Sequence, residues 1–528
     1  MISWLVILRV VVVVLALNAQ SLLSASERPP NIILFLVDDL GWKDLGCYGS
    51  SFYETPHADA LAQRGVRFTQ AYAACHVCSP TRASILTGKY PARLQLTDWL
   101  PGRREFAFQQ LSNAPITQYL PAAEITIAEA LKQHGYATAH IGKWHLGEEP
   151  FGPLNQGFDV QIPRWNKGWP KSGYYAPFQF DGLDDKDGQY LTDRLTDEAI
   201  QFMESHRSQP FFLYMSHFAV HDPIQGRKDL VAKYQSKRES LAEEHVPDFI
   251  LEGNPDAEHS YDWRSRMALL ESPDYSTFRV LPNRMAKIKQ RQDNVQFAAM
   301  VEAMDESLGR ICQQLEILNL AENTVILFFS DNGGMSAANF GNPERVVAPN
   351  QLDKAFSTSN LPLRGAKGWL YEGGIRVPLI VYWPNLGAKG HVCDEPVIST
   401  DLFPTILEIA ALDLLPEQHV DGLSLAKLVS GQRSSTDRPL FWHFPHYSNH
   451  GMQSPGGAIR LGDYKLLEYF ERGTIELFNL RDDISEQQDL AQRNPEKAAE
   501  LLSLLRHWRE DIQASSMLPN PMYIPPAD

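Results

Sequence analysis

The stretch "NIILFLVDDLGW", residues 31–42, joins a short apolar run to a polar, glycine-containing segment. The run Asn31–Val37 is apolar and contains β-branched side chains, which predicts a strand buried on both faces of a sheet. The polar residues that follow at once are typical of a strand end where a loop carries function. The stretch therefore predicts a buried strand whose end is a candidate site.

Similar units, each an apolar run followed by a polar loop, recur after helical patterns. "YATAHIGKWHLG" (136–147) follows "ITIAEALKQHG" (125–135), and "PFFLYMSHFAVHDP" (210–223) follows "LTDRLTDEAIQFMESHR" (191–207). "NTVILFFSDNGG" (323–334) follows a long amphipathic helical pattern. This alternation predicts an α/β fold: a large N-terminal domain with a mixed, mostly parallel central sheet between helices. In such sheets ligands bind at the carboxyl ends of the strands.

The chain has 528 residues, 44% of them hydrophobic, enough for a large domain and a smaller one. Residues 1–25 predict a signal peptide, and hence a secreted or periplasmic protein, with an uncleaved anchor as the alternative. Residues 26–432 would form the large domain, with a charged insertion at 225–294. After the linker-like "GQRSSTD" (431–437), residues 433–528 predict a small α+β subdomain with an antiparallel sheet and a closing helix.

The formal net charge is −16, and the basic residues are scattered among acidic ones. A nucleic-acid-binding protein would need a basic stripe to meet phosphates, so this class is excluded. No later segment has the length and apolarity of a membrane-spanning helix. An anionic substrate would have to be held by a local cluster of cations, because the overall charge repels it.

The chain contains five cysteines, an odd number, so at least one stays unpaired in an oxidising compartment. One of them begins "CSPTRASILTG" (78–88), where Pro80 suits the first turn of a helix and Gly88 its end. Cys78 would therefore lie at a helix N-terminus, which favours anions and lowers the pKa of a thiol. A thiolate nucleophile and a disulfide, with Cys75 or another cysteine, are both open interpretations.

Acidic and amide side chains follow two predicted strands. They are Asp38 and Asp39 after the first strand, and Asp331 and Asn332 after "NTVILFFS". A pocket that gathers three carboxylates is costly without a cation, and oxygen ligands suit calcium or magnesium better than zinc. Either pair alone could be an ordinary turn. Both pairs at strand ends of one sheet predict a metal site.

Basic side chains occupy the same strand ends and the cysteine motif. They are Arg82, Lys143, His145, His221 with nearby His217, and Lys367. If "GKWH" is extended, Lys143 and His145 project to the same side. Each residue alone could be a solvated loop residue or a salt-bridge partner. Their shared position beside a predicted cation site favours an anion pocket.

The segment "FWHFPHYSNHG" (441–451) is aromatic and polar, like a loop that contacts carbohydrate. It makes His443, His446 and Asn449 candidate substrate-binding residues. A core or turn role is the alternative for each of them.

These motifs together resemble the type I sulfatases of the alkaline phosphatase superfamily. The segment "CSPTR" followed by "ASILTG" is similar to the family signature, in which the cysteine is converted to Cα-formylglycine. "DDLGW", "GKWHLG", "SDNGG" and "KGWLYEGGIRVP" occur in the family's order, so the resemblance covers nearly the whole mature chain. It implies an alkaline phosphatase-like fold and the hydrolysis of sulfuric esters.

The resemblance also implies roles for the candidate residues. Asp38, Asp39, Asp331, Asn332 and formylglycine at position 78 would bind a divalent cation, usually calcium and less often magnesium. Arg82 would stabilise the formylglycine hydrate, and Lys143, His145, His221 and Lys367 would surround the sulfate.

In the implied mechanism, one hydroxyl of the hydrated aldehyde attacks sulfur while the alcohol leaves, protonated by His221 or Lys367. His145 then takes a proton from the second hydroxyl, which expels sulfate and restores the aldehyde. Arg82, the lysines and the cation offset the charge on the transferring group.

The resemblance suggests a galacto-configured sugar substrate, namely exo-type removal of sulfate from galactose or N-acetylgalactosamine, and a formylglycine-generating maturation enzyme as a partner. The alternatives are an arylsulfatase of broad specificity, a phosphatase or phosphodiesterase of the same superfamily, and a non-catalytic protein that binds sulfated glycans.

Overall fold

The computed structural model describes residues 28–240, 247–256, 262–272, 285–339, 346–433, 437–450 and 453–525. The predicted signal peptide, residues 1–25, lies outside these ranges. Within them, every helix is too short or too polar to cross a membrane.

The helices are α1 (Pro56–Arg64), α2 (Cys78–Thr87), α3 (Pro91–Leu94), α4 (Ile127–Lys132), α5 (Leu191–Ser205), α6 (Lys228–Glu239), α7 (Trp263–Leu270), α8 (Val295–Ile317), α9 (Leu352–Ala355), α10 (Glu372–Ile375), α11 (Leu402–Ile409), α12 (Ala426–Val429) and α13 (Pro495–Asp511). The strands are β1 (Asn31–Val37), β2 (Val66–Tyr72), β3 (Leu111–Ser112), β4 (Ala137–Gly142), β5 (Val160–Ile162), β6 (Phe211–Ser216), β7 (Phe249–Glu252), β8 (Ala286–Lys289), β9 (Thr324–Ser330), β10 (Arg376–Tyr382), β11 (His391–Cys393), β12 (Val397–Ile398), β13 (Leu440–Phe444), β14 (Gly456–Leu461), β15 (Tyr464–Tyr469), β16 (Ile475–Asn479) and β17 (Leu518–Pro519).

A large mixed sheet forms the centre of the main domain. Its strands lie in the order β11-β2-β10-β9-β1-β6-β4-β5, and β12 also pairs with β2. The strands from β9 to β5 are parallel to their neighbours, whereas β10 runs antiparallel to both β9 and β2. The predicted mixed, mostly parallel sheet is confirmed.

Strand β1 shows why this sheet is buried on both faces. Side chains alternate along a strand, so Ile33, Phe35 and Val37 enter one hydrophobic core and Ile32, Leu34 and Leu36 enter the other. Helices α1, α5, α6 and α8 contribute to the first core, and α2, α4 and α11 to the second. The predicted bounds of β1 are those found.

The segment 225–294 differs in part from the insertion expected there. Its first element, α6, buries Leu230 and Tyr234, four residues apart, in the same core as α8, although its other positions are largely charged. Further on, β7 and β8 form an antiparallel pair, and the Lys289 amide donates to the Ser336 carbonyl (2.9 Å). At least α6 is therefore part of the main core rather than a decoration of it.

The C-terminal residues form a small antiparallel sheet in the order β13-β14-β15-β16, covered by α13. Helix α13 buries Ala498, Leu501 and Leu505. This core also contains Trp369 and Tyr371 of the main domain, so the sheet shares a core with it. The antiparallel sheet and closing helix agree with the sequence prediction.

A cluster of buried charges joins the C-terminal sheet to the main domain. Lys465 Nζ on β15 lies 3.0 Å from Glu372 Oε1 and 2.8 Å from Glu486 Oε1, and all three side chains are fully buried. Tyr72 donates to Glu372 Oε2 (2.7 Å), and Arg376 pairs with the same oxygen. We call these five residues the interface ion cluster.

Candidate active site

The carboxyl ends of four neighbouring strands place polar side chains at one edge of the main sheet. Asp38 and Asp39 follow β1, and Asp331 and Asn332 follow β9. The other two strands bring basic residues: Lys143 follows β4, and His221 follows β6 after a short loop. Parallel pairing makes these ends adjacent, which agrees with the position expected for a ligand site.

Helix α2 brings Cys78 and Arg82 to the same edge. Cys78 is the first residue of the helix, as the sequence predicts, and Arg82 lies one turn later on the same face. The helix ends at Gly88, whose φ of 69° favours glycine and whose missing side chain avoids a collision with His419. All five cysteines are free, so the disulfide interpretation for Cys78 finds no support.

Arg82 connects three strand ends through a fully buried guanidinium. Its Nε donates to Asp331 Oδ2 (2.9 Å), and its Nη1 donates to Ser216 Oγ (2.6 Å) and to the Lys143 carbonyl (2.9 Å). Burial alone would lower the pKa of Arg82, but Asp331 and Asp38 outweigh it and raise the pKa. Arg82 therefore keeps its charge inside the cluster.

Asp38 and Asn332 each present a buried oxygen without a hydrogen-bond partner among the described residues, Asp38 Oδ1 and Asn332 Oδ1. The other Asp38 oxygen accepts from Lys143 Nζ (2.5 Å). Burial, together with Asp331, raises the pKa of Asp38 to about 8. A divalent cation would offset this cost and use the open oxygens, so the donor set fits a hard metal ion.

Asp39 is held between Lys367 and Asn332. Lys367 Nζ lies 2.7 Å from Asp39 Oδ1 and 2.8 Å from Oδ2, and Asn332 Nδ2 donates to Oδ1 (2.8 Å). Burial would raise the pKa of Asp39, but Lys367 and His221 lower it by a larger amount, so the net shift is downward. Asp39 is therefore an anion in the cluster.

His145 contacts the sulfur of Cys78. Its Nδ1 lies 3.2 Å from Cys78 Sγ, and its Nε2 lies 2.7 Å from the Leu100 carbonyl. Burial, and then Lys143, lowers the pKa of His145 well below its usual value. The ring is thus neutral, and because a carbonyl can only accept, Nε2 carries the proton and Nδ1 faces position 78 as an acceptor.

Lys143 and His145 both reach the cluster, but not through the extended backbone on which their pairing was predicted. His145 has a left-handed backbone with φ 58°, so this part of the stretch is not extended. Gly168 lies against its ring, where a side chain would collide with it.

The structure distinguishes the two histidines after β6. His217 packs against Phe35 in the core with the two rings tilted, and its Nε2 lies 3.1 Å from Ser307 Oγ on α8. His221 instead has Nε2 3.7 Å from Asp39 and Nδ1 2.8 Å from Asp222. Burial and Lys367 lower the pKa of His221, but Asp39 and Asp222 outweigh them and raise it to about 9.

The three predicted substrate residues have different surroundings. His443 Nε2 hydrogen-bonds the Ser515 carbonyl (2.8 Å), and His446 Nε2 lies 2.8 Å from Thr97 Oγ1. Both rings are thus used to hold chain segments rather than brought into the cluster. Asn449 lies beside His450 and is buried, and its Oδ1 has no hydrogen-bond partner within the described part of the chain.

The sequence reasoning missed Ser216, Asp222 and His450. Ser216 and Asp222 flank the histidines of "SHFAVHD", and the local sequence does not distinguish them from ordinary residues at a strand end. His450 follows Asn449 in the segment already singled out, and local pattern alone could not separate the two.

Comparison with known proteins identifies the class. The sulfatase family model matches residues 30–412, and an N-sulphoglucosamine sulphohydrolase C-terminal model matches residues 366–513. The chain belongs to the sulfatase family and is a sulfuric ester hydrolase, which confirms the resemblance.

Its relatives include a sulfatase of Formosa agariphila, 29% identical over 93% of this chain and 90% of the relative. The N-acetylgalactosamine-6-sulfatase of Mus musculus is 30% identical over 85% of this chain and 74% of the relative. Among solved structures, Ps i-CgsB in complex with k-i-k-neocarrahexaose has a TM-score of 0.68 and 27% identity, covering 94% of this chain and 96% of the other. These similarities confirm the predicted fold class.

Proposed function

We propose that this sulfatase removes sulfate from sulfated carbohydrates, with formylglycine formed from Cys78 and a calcium ion held by Asp38, Asp39, Asp331 and Asn332. The geometry around position 78 carries the proposal. Ligand atoms of Cys78, Asp38 and Asp331 lie within 4.8 Å of one another, and His145 Nδ1 faces the sulfur. The relatives named for N-acetylgalactosamine and crystallised with a neocarrahexaose support a sugar substrate.

When present, the cation supplies positive charge to the sulfate and the formylglycine supplies a nucleophilic hydroxyl. The chain's own residues divide the remaining tasks. Arg82, Lys143 and Lys367 offset the negative charge of the transferring group, as preorganised cations do. Their buried positions keep water from screening that charge.

Two histidines suit opposite proton transfers. His145 is neutral and its Nδ1 accepts, so it removes a proton at position 78. His221 is protonated because its pKa is raised to about 9, so its Nε2 donates a proton to the departing alcohol oxygen. This pair gives the site an acid and a base at the same pH.

The finer substrate proposal is an exo-acting enzyme on galactose- or N-acetylgalactosamine-type sulfate esters, exported through its N-terminal leader. The test is a panel of 2-, 3-, 4- and 6-sulfated monosaccharides with liberated sulfate as the readout. We expect release from at least one galacto-configured ester. Turnover of small aryl sulfates alone would contradict the carbohydrate assignment.

The maturation proposal has its own test. Peptide mass spectrometry should find residue 78 lighter than cysteine, by the exchange of thiol for aldehyde, after co-expression with the maturation enzyme. Expression without that enzyme is the control and should leave cysteine and little activity. A fully active preparation in which Cys78 remains a thiol would refute the proposed nucleophile.

A further inference from the structure

His450 is a buried histidine that the proposed chemistry leaves unused. Its side chain is buried, and both ring nitrogens lack a hydrogen-bond partner among the described residues. Its backbone is fixed, because its amide donates to Ser448 Oγ (3.0 Å) and it forms an isolated β-bridge with Asn339. The ring therefore has a defined position and two open polar atoms.

Unpartnered nitrogens alone do not make a site, because two other buried histidines also have both ring nitrogens without a hydrogen-bond partner among the described residues. His76 meets Phe444 edge-on with ring centroids 4.1 Å apart, and His419 lies against Phe403 with ring centroids 5.7 Å apart. His450 differs in its surroundings: the charges of Lys367, Asp39, Asp222 and His221 all act on its ring. These are residues of the active site and its rim.

Gly368 allows the His450 side chain to lie close to the loop that carries Lys367. A side chain at Gly368 would lie 2.6 Å from His450 Cβ and 3.1 Å from Nδ1, and its φ of 83° also favours glycine. Gly368 directly follows Lys367, whose ammonium binds Asp39. The connection between β13 and β14 thus presents His450 to the loop that carries an active-site lysine.

The chemistry of the ring indicates its ligand. Burial, and then Lys367, lowers the pKa of His450 well below its usual value, so the ring is neutral with one donor and one acceptor. A sulfate accepts hydrogen bonds and carries charge, which suits the cations Arg82, Lys143 and Lys367. A sugar hydroxyl both donates and accepts, which suits a neutral imidazole.

We propose that His450 binds the hydroxyl next to the sulfate ester and so selects sugars in which that hydroxyl is free. This inference rests on the proposed carbohydrate sulfatase function. Asn449, whose Oδ1 is also open, supplies a second neutral group beside it. Sugars that lack the neighbouring hydroxyl would leave His450 unpaired and react slowly. A second sulfate at that position would bring its charge beside a buried neutral ring and would also slow the reaction.

The test compares the preferred monosaccharide sulfate with its deoxy analogues, each lacking one hydroxyl next to the ester. The wild-type enzyme should lose about tenfold or more in kcat/KM on one analogue. His450→Phe should lower the ratio of kcat/KM for the sugar sulfate to that for para-nitrophenyl sulfate by about tenfold or more. His450→Phe should also lose the discrimination against the deoxy analogue, and His450→Gln should restore part of that discrimination.

His419→Phe is the matched control, because it removes another buried, unpartnered ring. It should keep both the ratio of kcat/KM for the sugar sulfate to that for para-nitrophenyl sulfate and the discrimination against the deoxy analogue. The wild-type comparison does not depend on any variant folding. Equal rates on every deoxy analogue, or an unchanged discrimination in His450→Phe, would overturn the role of His450 alone. Sulfate release from no sugar ester would instead refute the carbohydrate function, and this inference with it.

Discussion

Two of the buried charge clusters among the described residues, the interface ion cluster and the active site, are completed in different ways. In the interface ion cluster all four carboxylate oxygens have partners: Glu372 uses Lys465, Tyr72 and Arg376, and Glu486 uses Lys465 and the Glu372 amide. In the active site the oxygens Asp38 Oδ1 and Asn332 Oδ1 have no partner in the described chain.

The difference separates a structural cluster from a functional one. A buried polar atom is costly unless it is paired, so most such atoms in a folded chain have a partner. Under the proposed function, the open atoms of the active site would bind a cation and a substrate. Charge and burial alone, which both clusters share, would not have distinguished them.

The largest effect is expected in the active site, from Cys78→Ala. Loss of the nucleophile should lower kcat/KM for para-nitrophenyl sulfate by about 10⁴-fold or more, because no other group replaces it. Far-UV circular dichroism should show an unchanged fold. Cys75→Ala, which removes the neighbouring buried thiol, is the control and should retain turnover; equal losses in both variants would contradict a special role of position 78.

In the interface ion cluster, Lys465→Met should act on stability. Removing the shared cation leaves Glu372 and Glu486 buried without it, which should cost about 3–5 kcal/mol in the free energy of unfolding, measured with urea. Activity of the remaining folded protein should persist. Lys497→Met breaks the partly exposed pair with Glu500 and should change stability by only about 0.5 kcal/mol. Similar effects of the two variants would show that the buried cluster is not special.

Removal of the cation tests the open oxygens directly. Dialysis against a chelator should lower kcat/KM by about a hundredfold or more and lower Tm, because a ligand bound only to the folded state stabilises it. Calcium should restore both properties, with zinc as the comparison. Restoration by zinc alone, or no response to the chelator, would contradict the proposed calcium site.

The smallest effect is a pH dependence of the interface ion cluster. Burial would raise the pKa of Glu372, but Lys465 and Arg376 outweigh it and lower the pKa from 4.5 to about 2. Because the folded-state pKa is the lower one, this stabilisation is present above about pH 4.5 and is lost as the pH falls towards 2. The difference in Tm between wild type and Lys465→Met should therefore narrow over that range. A constant difference would mean that Lys465 does not set the pKa of Glu372.

Much of the fold could be predicted because its signals are local. The alternation that buries β1 on both faces, and the ends of α2 at Cys78 and Gly88, depend on residues close together in the chain. Acids and cations at strand ends could be grouped because parallel strands end at one edge.

The rest depended on contacts between distant segments. His450 reaches Gly368 from the connection between β13 and β14, and the left-handed backbone of His145 has no sequence signal, since glycine is not used there. His443 and His446 were predicted together with Asn449 from one short segment, yet their partners, Ser515 and Thr97, lie far from that segment in the chain. Burial of α6 was hidden because its charged positions outnumber the two that face the core.

Helix α2 is buried along its whole length, from Cys78 to Thr87. A maturation enzyme that reads this segment cannot reach it once the main sheet and helices α4 and α11 have packed around it. The proposed conversion of Cys78 therefore has to come before folding, while the segment is still extended and accessible. If the proposal holds, the timing of this conversion during biosynthesis would decide whether a folded molecule is active, and a chain that folded before conversion would stay a stable, inactive product.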